Sequence, residues 1–250
     1  AVLSGVDVFQ VMFDFTGPEY FDTLDVKRVK MLHADFPLYW FSCALTEAPV
    51  LNAADVEPNM KWGAGINLFQ KEPNLAVIEE FHEYKMRREE MPKDVILPMY
   101  LNHGLIDTTR RPDNGMASLL FESYNLGKSI RLHPTDRAFM KDYWPAVEKF
   151  IDVFLPFHKN ITRDKIYGIS IQGPRQLLGT AKSYFQGAVP GIDGKEGQDP
   201  PFRPTPNLAS GKLPIKNLYA TGGMWQQGPY ASAWGGYCIY KIMAEDFGLG

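Results

Sequence analysis

The sequence predicts an α+β protein, a mixed β-sheet with helices packed on it. Strand-like and helix-like stretches alternate without the regular strand–helix–strand units of a doubly wound parallel sheet. The chain has 250 residues and is 45% hydrophobic, enough for one large domain or two small ones with a real core. It closes on a separate pattern, an apolar strand followed by paired glycines and a helix.

Residues 1–7 read as a short strand. Residues 8–31 read as helical, with Val11, Met12, Phe15, Leu24, Val26, Val29 and Met31 as apolar positions. The ring-rich stretch 36–46 suits a strand. Asn74 is placed to cap a helix from Leu75 to about Arg88, with Leu75, Val77, Ile78, Phe81 and Tyr84 as its apolar stripe. Strands are expected at Val95–Leu101 and Met116–Ser123, joined by the turn-rich run Asp107–Gly115. From Asp136 to Phe157 the apolar positions Phe139, Tyr143, Val147, Phe150 and Phe154 recur at helical spacing. Pro145 falls inside that pattern and predicts a kink or two abutting helices. Tyr167, Ile169 and Ile171 alternate with Gly168 and Ser170 as a half-buried strand. Residues 186–216 are dense in Gly and Pro and read as a long loop, of the kind that is functional or packed on something else.

Composition excludes several classes. Net charge is −3, with 26 Lys and Arg interspersed among 29 Asp and Glu, so nothing favours nucleic acid as a partner. The two cysteines, Cys43 and Cys238, make neither a disulfide framework nor a zinc site and read as reduced thiols of a cytoplasmic protein. No apolar run reaches the roughly eighteen residues of a membrane span, and no signal peptide is read ahead of Ala1, although processing would have removed one. The five histidines show no metal-binding spacing and read as surface or satisfied core groups. His103 with Asp107 is the one candidate general-base pair. A nucleophile elbow and a phosphate loop are both missing. The aromatic share, 13%, fits a ring-rich core or an apolar ligand tunnel, with Phe36–Phe41, Tyr184 and Phe185 as the candidate ligand rings.

The most informative stretch runs from Asn217 to Cys238. Leu218–Ala220 is an apolar strand, Gly222 and Gly223 follow, and a small-residue cluster at Tyr230, Ala231, Ser232 and Ala233 opens the last helix. Bare backbone N–H groups and a helix N-terminus suit an anionic or electron-rich ligand. This stretch resembles the C-terminal flavin-contacting segment of phytoene desaturase-like FAD-dependent oxidoreductases, a branch of the carotenoid desaturase and amine oxidase group. The spacing from Gly222 to Gly236 fits that family without a gap. Phe202-Arg203-Pro204 and Leu213-Pro214-Ile215 match its punctuation before the final strand, and Ala1–Asp7 resembles a strand in the middle of its members. Gly228-Pro229-Tyr230 and Trp225-Gln226-Gln227 depart from the family's usual residues. The family's dinucleotide fingerprint is missing too. The nearest string, Gly63–Leu68, lacks the third glycine and runs into an apolar segment.

The resemblance implies FAD as cofactor, with Gly222, Gly223, Met224, Tyr230, Ala231, Ser232 and Ala233 against it; it names no catalytic residue and no metal. It implies a division of the chain into a strand at 1–7 belonging to the FAD-binding domain, a substrate domain at 8–185, the loop 186–216, and a flavin-contacting strand and helix at 217–250. The Rossmann domain is then expected from a second polypeptide, either a separate subunit or the other product of a cleavage. The implied reaction is dehydrogenation or desaturation across a C–C bond of an apolar, isoprenoid-type substrate, or its reverse. Peripheral contact with a membrane is compatible with such a substrate. Two alternatives stay open, a flavin-dependent isomerase or hydratase without net redox, and a non-catalytic partner of an oxidoreductase.

Overall fold

A computed structural model describes residues 1–34, 38–52, 65–66, 79, 99–101, 107, 109, 115–123, 140–173, 176–177, 182, 191–192, 197–199, 201–225 and 233–249. The chain divides into two units, residues 37–176 and residues 1–36 with 177–250. Parallel and antiparallel pairing both occur, and the fold is α+β.

The central unit is built on a five-stranded antiparallel sheet. Its strands are β2 (Tyr39–Leu45), β3 (Gly65–Ile66), β4 (Met99–Leu101), β5 (Ala117–Ser123) and β6 (Ile166–Gln172), in the order β3-β4-β5-β2-β6. β2 lies among the inner strands and has the cleanest alternation: Tyr39, Phe41, Cys43 and Leu45 are buried, while Trp40, Ser42 and Ala44 face the other way. Opposite them, Phe41 registers with Phe121 and Cys43 with Leu119. The buried face carries helix α2 (Met140–Phe154), whose Tyr143, Val147, Phe150 and Phe154 all enter the core. Phe150 stacks on Phe41 with centroids 4.1 Å apart, and Phe121 meets Phe150 and Phe154 edge-on at 4.9 Å.

Residues 95–98, most of Asp107–Gly115 and residues 136–139 lie outside the described residues, and among those described two expectations change. α2 runs through Pro145 as one helix rather than two abutting ones, and the proline has no N–H to give to the carbonyl of residue 141. Tyr167 is 76% exposed rather than part of the buried alternation. The register explains why: Ala44 pairs with Gly168 but Leu45 pairs with Ile166, so Tyr167 is the extra residue of a β-bulge. Ile166 takes the inward position that Tyr167 was expected to hold. The Gly63–Leu68 string contributes Gly65 and Ile66 to β3. The expected helix Leu75–Arg88 lies outside the described residues, except that Glu79 is helical.

The second unit joins both ends of the chain. β1 (Val2–Ser4) pairs in parallel with β7 (Leu218–Ala220), Leu3 opposite Tyr219. On the other side of β7, Lys212 bridges Tyr219 in the antiparallel sense. The expected helix over 8–31 is interrupted. A wide helical segment covers Gln10–Thr16, where the N–H of Gly17 reaches back to the carbonyl of Met12, 3.2 Å away. Gly17 then adopts φ 107°, and Pro18, with no N–H to donate, starts a separate turn. The chain recovers at α1 (Thr23–Lys30), capped by the Asp22 carboxylate, which accepts the N–H of Leu24 at 2.7 Å.

Residues 8–36 belong with this terminal unit, so the boundary falls after residue 36 instead of after residue 7. The second boundary lies between residues 176 and 177 instead of after 185. The cause is packing: Val8, Val11, Met12, Phe21, Val29 and Leu32 share one core with Ile192, Leu208, Leu213, Ala220, Met224 and Trp225. The described parts of 191–216 form turns that feed Ile192, Leu208 and Leu213 into that core, in keeping with a loop that packs. The last helix, α3 (Ala233–Phe247), is tied down at its end. Asp246 accepts from the Tyr219 hydroxyl at 2.7 Å and from Lys212 Nζ at 2.5 Å. The Lys212 bond, and then the Tyr219 bond, hold its carboxyl below the usual carboxylate range.

Candidate functional site

Because β1 and β7 run parallel, their carboxyl ends lie side by side. In open α/β sheets, which are built from such parallel pairs, ligands bind just beyond those ends. Two short segments meet there, Gly5–Asp7 after β1 and Thr221–Trp225 after β7. The N–H of Thr221 donates to Ser4 O at 3.0 Å, which carries the ladder one residue past the strands. Gly222 then turns the chain at φ 132°, a conformation glycine tolerates and other residues resist. A Cβ at that position would lie 3.4 Å from the carbonyl oxygen of Gly5, so the two segments touch backbone to backbone. The N–H of Trp225 closes the turn on the carbonyl of Gly222 at 3.0 Å. The Trp225 indole is fully buried, and its Nε1–H donates to Val6 O at 3.1 Å. On the first segment, the Asp7 carboxylate accepts both the N–H and the side-chain amide of Gln10.

The expected contact residues divide into three groups. Gly222 and Gly223 form the turn and are half-buried, with main chain at the carboxyl edge. Met224 turns its side chain into the core, 2% exposed, and packs so closely on Gly191 that a Cβ there would come within 2.5 Å of Met224 Cγ. Only the Met224 main chain is therefore part of the turn. Tyr230, Ala231 and Ser232 lie outside the described residues, and Ala233 is the exposed first residue of α3.

Three residues of this neighbourhood gave no clear sequence signal of their role. Arg203, only 1% exposed, donates from Nη1 to the carbonyl of Gly223 at 3.2 Å and from Nε to the carbonyl of Gln198 at 2.6 Å. Gln198 is buried and holds the main chain of His33 on both sides, its Oε1 accepting from the N–H at 2.7 Å and its Nε2 donating to the carbonyl at 3.1 Å. Trp225 looks like any core ring in sequence, yet it pins both segments together.

Several of the remaining candidates serve the fold. Tyr39 and Phe41, expected as ligand rings, are fully buried in the central core; Phe36, Tyr184 and Phe185 lie outside the described residues. Asp107 caps its own turn, accepting from the N–H of Thr109 at 3.1 Å and from its hydroxyl at 2.5 Å, while His103 is outside the described residues. His158 is buried against Phe154, and burial lowers its pKa to about 4, partly opposed by a 3.0 Å bond between Nδ1 and the Phe154 carbonyl. Burial pushes the Cys43 thiol up to about 12, which keeps it protonated and inert. Among the described residues no cluster of three or more His, Cys, Asp or Glu could hold a metal, and no helix is long and apolar enough to cross a membrane.

The arrangement is thus a glycine turn at the carboxyl edge of a parallel strand pair, made of backbone groups with no free acid or base among its described side chains. Such a wall can position a ligand. A turn without Cβ atoms leaves room for a ligand to approach the main chain. No protein-family model matches the chain, and no curated protein matches it. The resemblance to phytoene desaturase-like oxidoreductases therefore rests on the residues quoted for it.

Proposed function

We propose that this chain forms the substrate domain and the C-terminal flavin-contacting wall of a phytoene desaturase-like FAD-dependent oxidoreductase. The rest of the FAD site would come from a Rossmann domain outside these 250 residues. The observation that carries the reading is the glycine turn at Gly222, at φ 132° beside the carbonyl of Gly5, beyond the carboxyl ends of β1 and β7. Ligands of open parallel sheets are held at that edge, and a turn without Cβ atoms lets a ligand approach the main chain.

When bound, FAD supplies the hydride chemistry, so the protein needs few reacting side chains of its own. Gly222 and Gly223 would approach the cofactor through their main chain. Trp225 would hold the two segments of the wall together, and the start of α3 would turn a helix N-terminus toward developing negative charge. The substrate would be apolar and isoprenoid-like, changed by hydride and proton loss across a C–C bond or by the reverse. That part rests on the resemblance, because Tyr39 and Phe41 serve the core. The free thiols Cys43 and Cys238 are in keeping with a reducing compartment such as the cytoplasm.

The test is to express the chain alone and together with the Rossmann-bearing protein that co-purifies with it, and to record flavin absorbance. Flavin is expected in the complex and not in the isolated chain. Stoichiometric FAD on the isolated chain would sink the divided site, and a purified complex without flavin would sink the flavoprotein reading.

A further inference from the structure

Arg203 directs a buried charge at two backbone carbonyls, those of Gln198 and Gly223. A guanidinium stays protonated, and taking it out of water is costly unless its donors are used. An apolar side chain would fill the same space without that penalty, so the position is explained by what the guanidinium holds. Its bonds continue a chain of contacts. Gln198 clamps the main chain of His33, just beyond the end of α1, and Arg203 carries the connection on to the glycine turn.

The peptide between Gly223 and Met224 has its carbonyl and its N–H pointing in opposite directions within one plane. Drawing the carbonyl toward Arg203 therefore decides which way the Met224 N–H faces. Gly222 and Gly223 have no side chain to make that choice, and two adjacent glycines would otherwise sample several orientations. The same bond leaves a full positive charge directly behind the turn, on its core side, where solvent screens it little.

We propose that Arg203 is the positioning residue of the glycine turn. It holds the 223–224 peptide in one orientation and places a fixed positive charge behind it, which favours an anionic or electron-rich ligand edge on the half-exposed side. The identity of that ligand as a flavin rests on the reading above; the holding of the turn does not.

Two measurements test it, using Arg203→Met, which removes the charge and both bonds, and Arg203→Lys, which keeps the charge but cannot span both carbonyls. The first is amide hydrogen exchange on the full chain. Peptides covering residues 221–225 should exchange about ten-fold or more faster in Arg203→Met, with β2 and α2 protected as before, since bonds from charged donors are worth about that much. Unchanged exchange would overturn the positioning role. If Arg203→Met does not fold, Arg203→Gln, which removes the charge and is too short to reach both carbonyls, takes its place, and unchanged exchange there would overturn the positioning role. The second is made on the co-purified flavin complex. Arg203→Met should release FAD about ten-fold more readily and shift the flavin midpoint potential downward, while Arg203→Lys keeps the potential near that of the unaltered complex. A potential equal to that of the unaltered complex in Arg203→Met would overturn the electrostatic half. An unaltered complex without flavin would instead overturn the flavin reading, and exchange at 221–225 would then decide the holding of the turn by itself.

Discussion

Gly222 combines a backbone angle of 132° with a carbonyl oxygen 3.4 Å from where a Cβ would stand. Gly222→Val should therefore strain the turn whether or not a ligand binds, by about 1–3 kcal/mol. Thermal unfolding of the chain reads that cost, and an unchanged midpoint would show that the turn relaxes freely. In the flavin complex the same substitution should also displace the cofactor. His158 makes a different kind of prediction. In the unfolded chain its imidazole titrates near 6.5, while in the folded chain burial lowers it to about 4. Between those values the unfolded chain binds a proton that the folded chain refuses, so stability is full above pH 6.5 and is lost as pH falls toward 4. The loss is on the order of 3 kcal/mol at most. Denaturant titrations from about pH 7 to about pH 4 should show it, and His158→Gln should flatten that part of the profile.

Helix α2 shows how one element organises the central unit. Its inward side places Phe150 on Phe41 of β2 and against Phe121 of β5. Phe150→Ala leaves a cavity among rings that cannot all collapse, and should cost about 3–5 kcal/mol in chemical denaturation. Trp144→Ala on the same helix, at a side chain that is half exposed, should stay within about 1 kcal/mol. Equal costs would mean that the helix packs differently. The bulge in β6 works at the same scale. One extra residue, Tyr167, keeps Ile166 and Ile169 both packed against the core.

For the whole molecule, the decisive pairing is β1 with β7, which joins residues 2–4 to residues 218–220. It brings together the two segments that carry the candidate site, and each unit has a core of its own. At this scale the prediction concerns turnover by the proposed flavin complex. Under anaerobic conditions an apolar, terpenoid-type substrate that loses hydride should bleach the flavin absorbance. Bleaching by a small charged metabolite, with apolar candidates inert, would refute the substrate class.

Much of the fold was legible in the residues themselves. The period of β2, the stripe of α2 and the glycines after Leu218–Ala220 are local signals, because strand and helix periods act over a few residues. The sequence by itself determined the α+β class, the central strands other than β3 and the presence of a glycine turn. Tertiary structure alone decided that residues 8–36 join the terminal core, that Met224 faces inward, that Tyr167 bulges outward and that Arg203 holds the carbonyl of Gly223. Each of those outcomes depends on partners far away in the chain: Met12 and Val29 with Trp225, Leu45 with Ile166, Gln198 with His33. Local propensity carries no information about such partners, and the choice between facing inward and outward at a bulge or a glycine turn is made by the packing that closes around it.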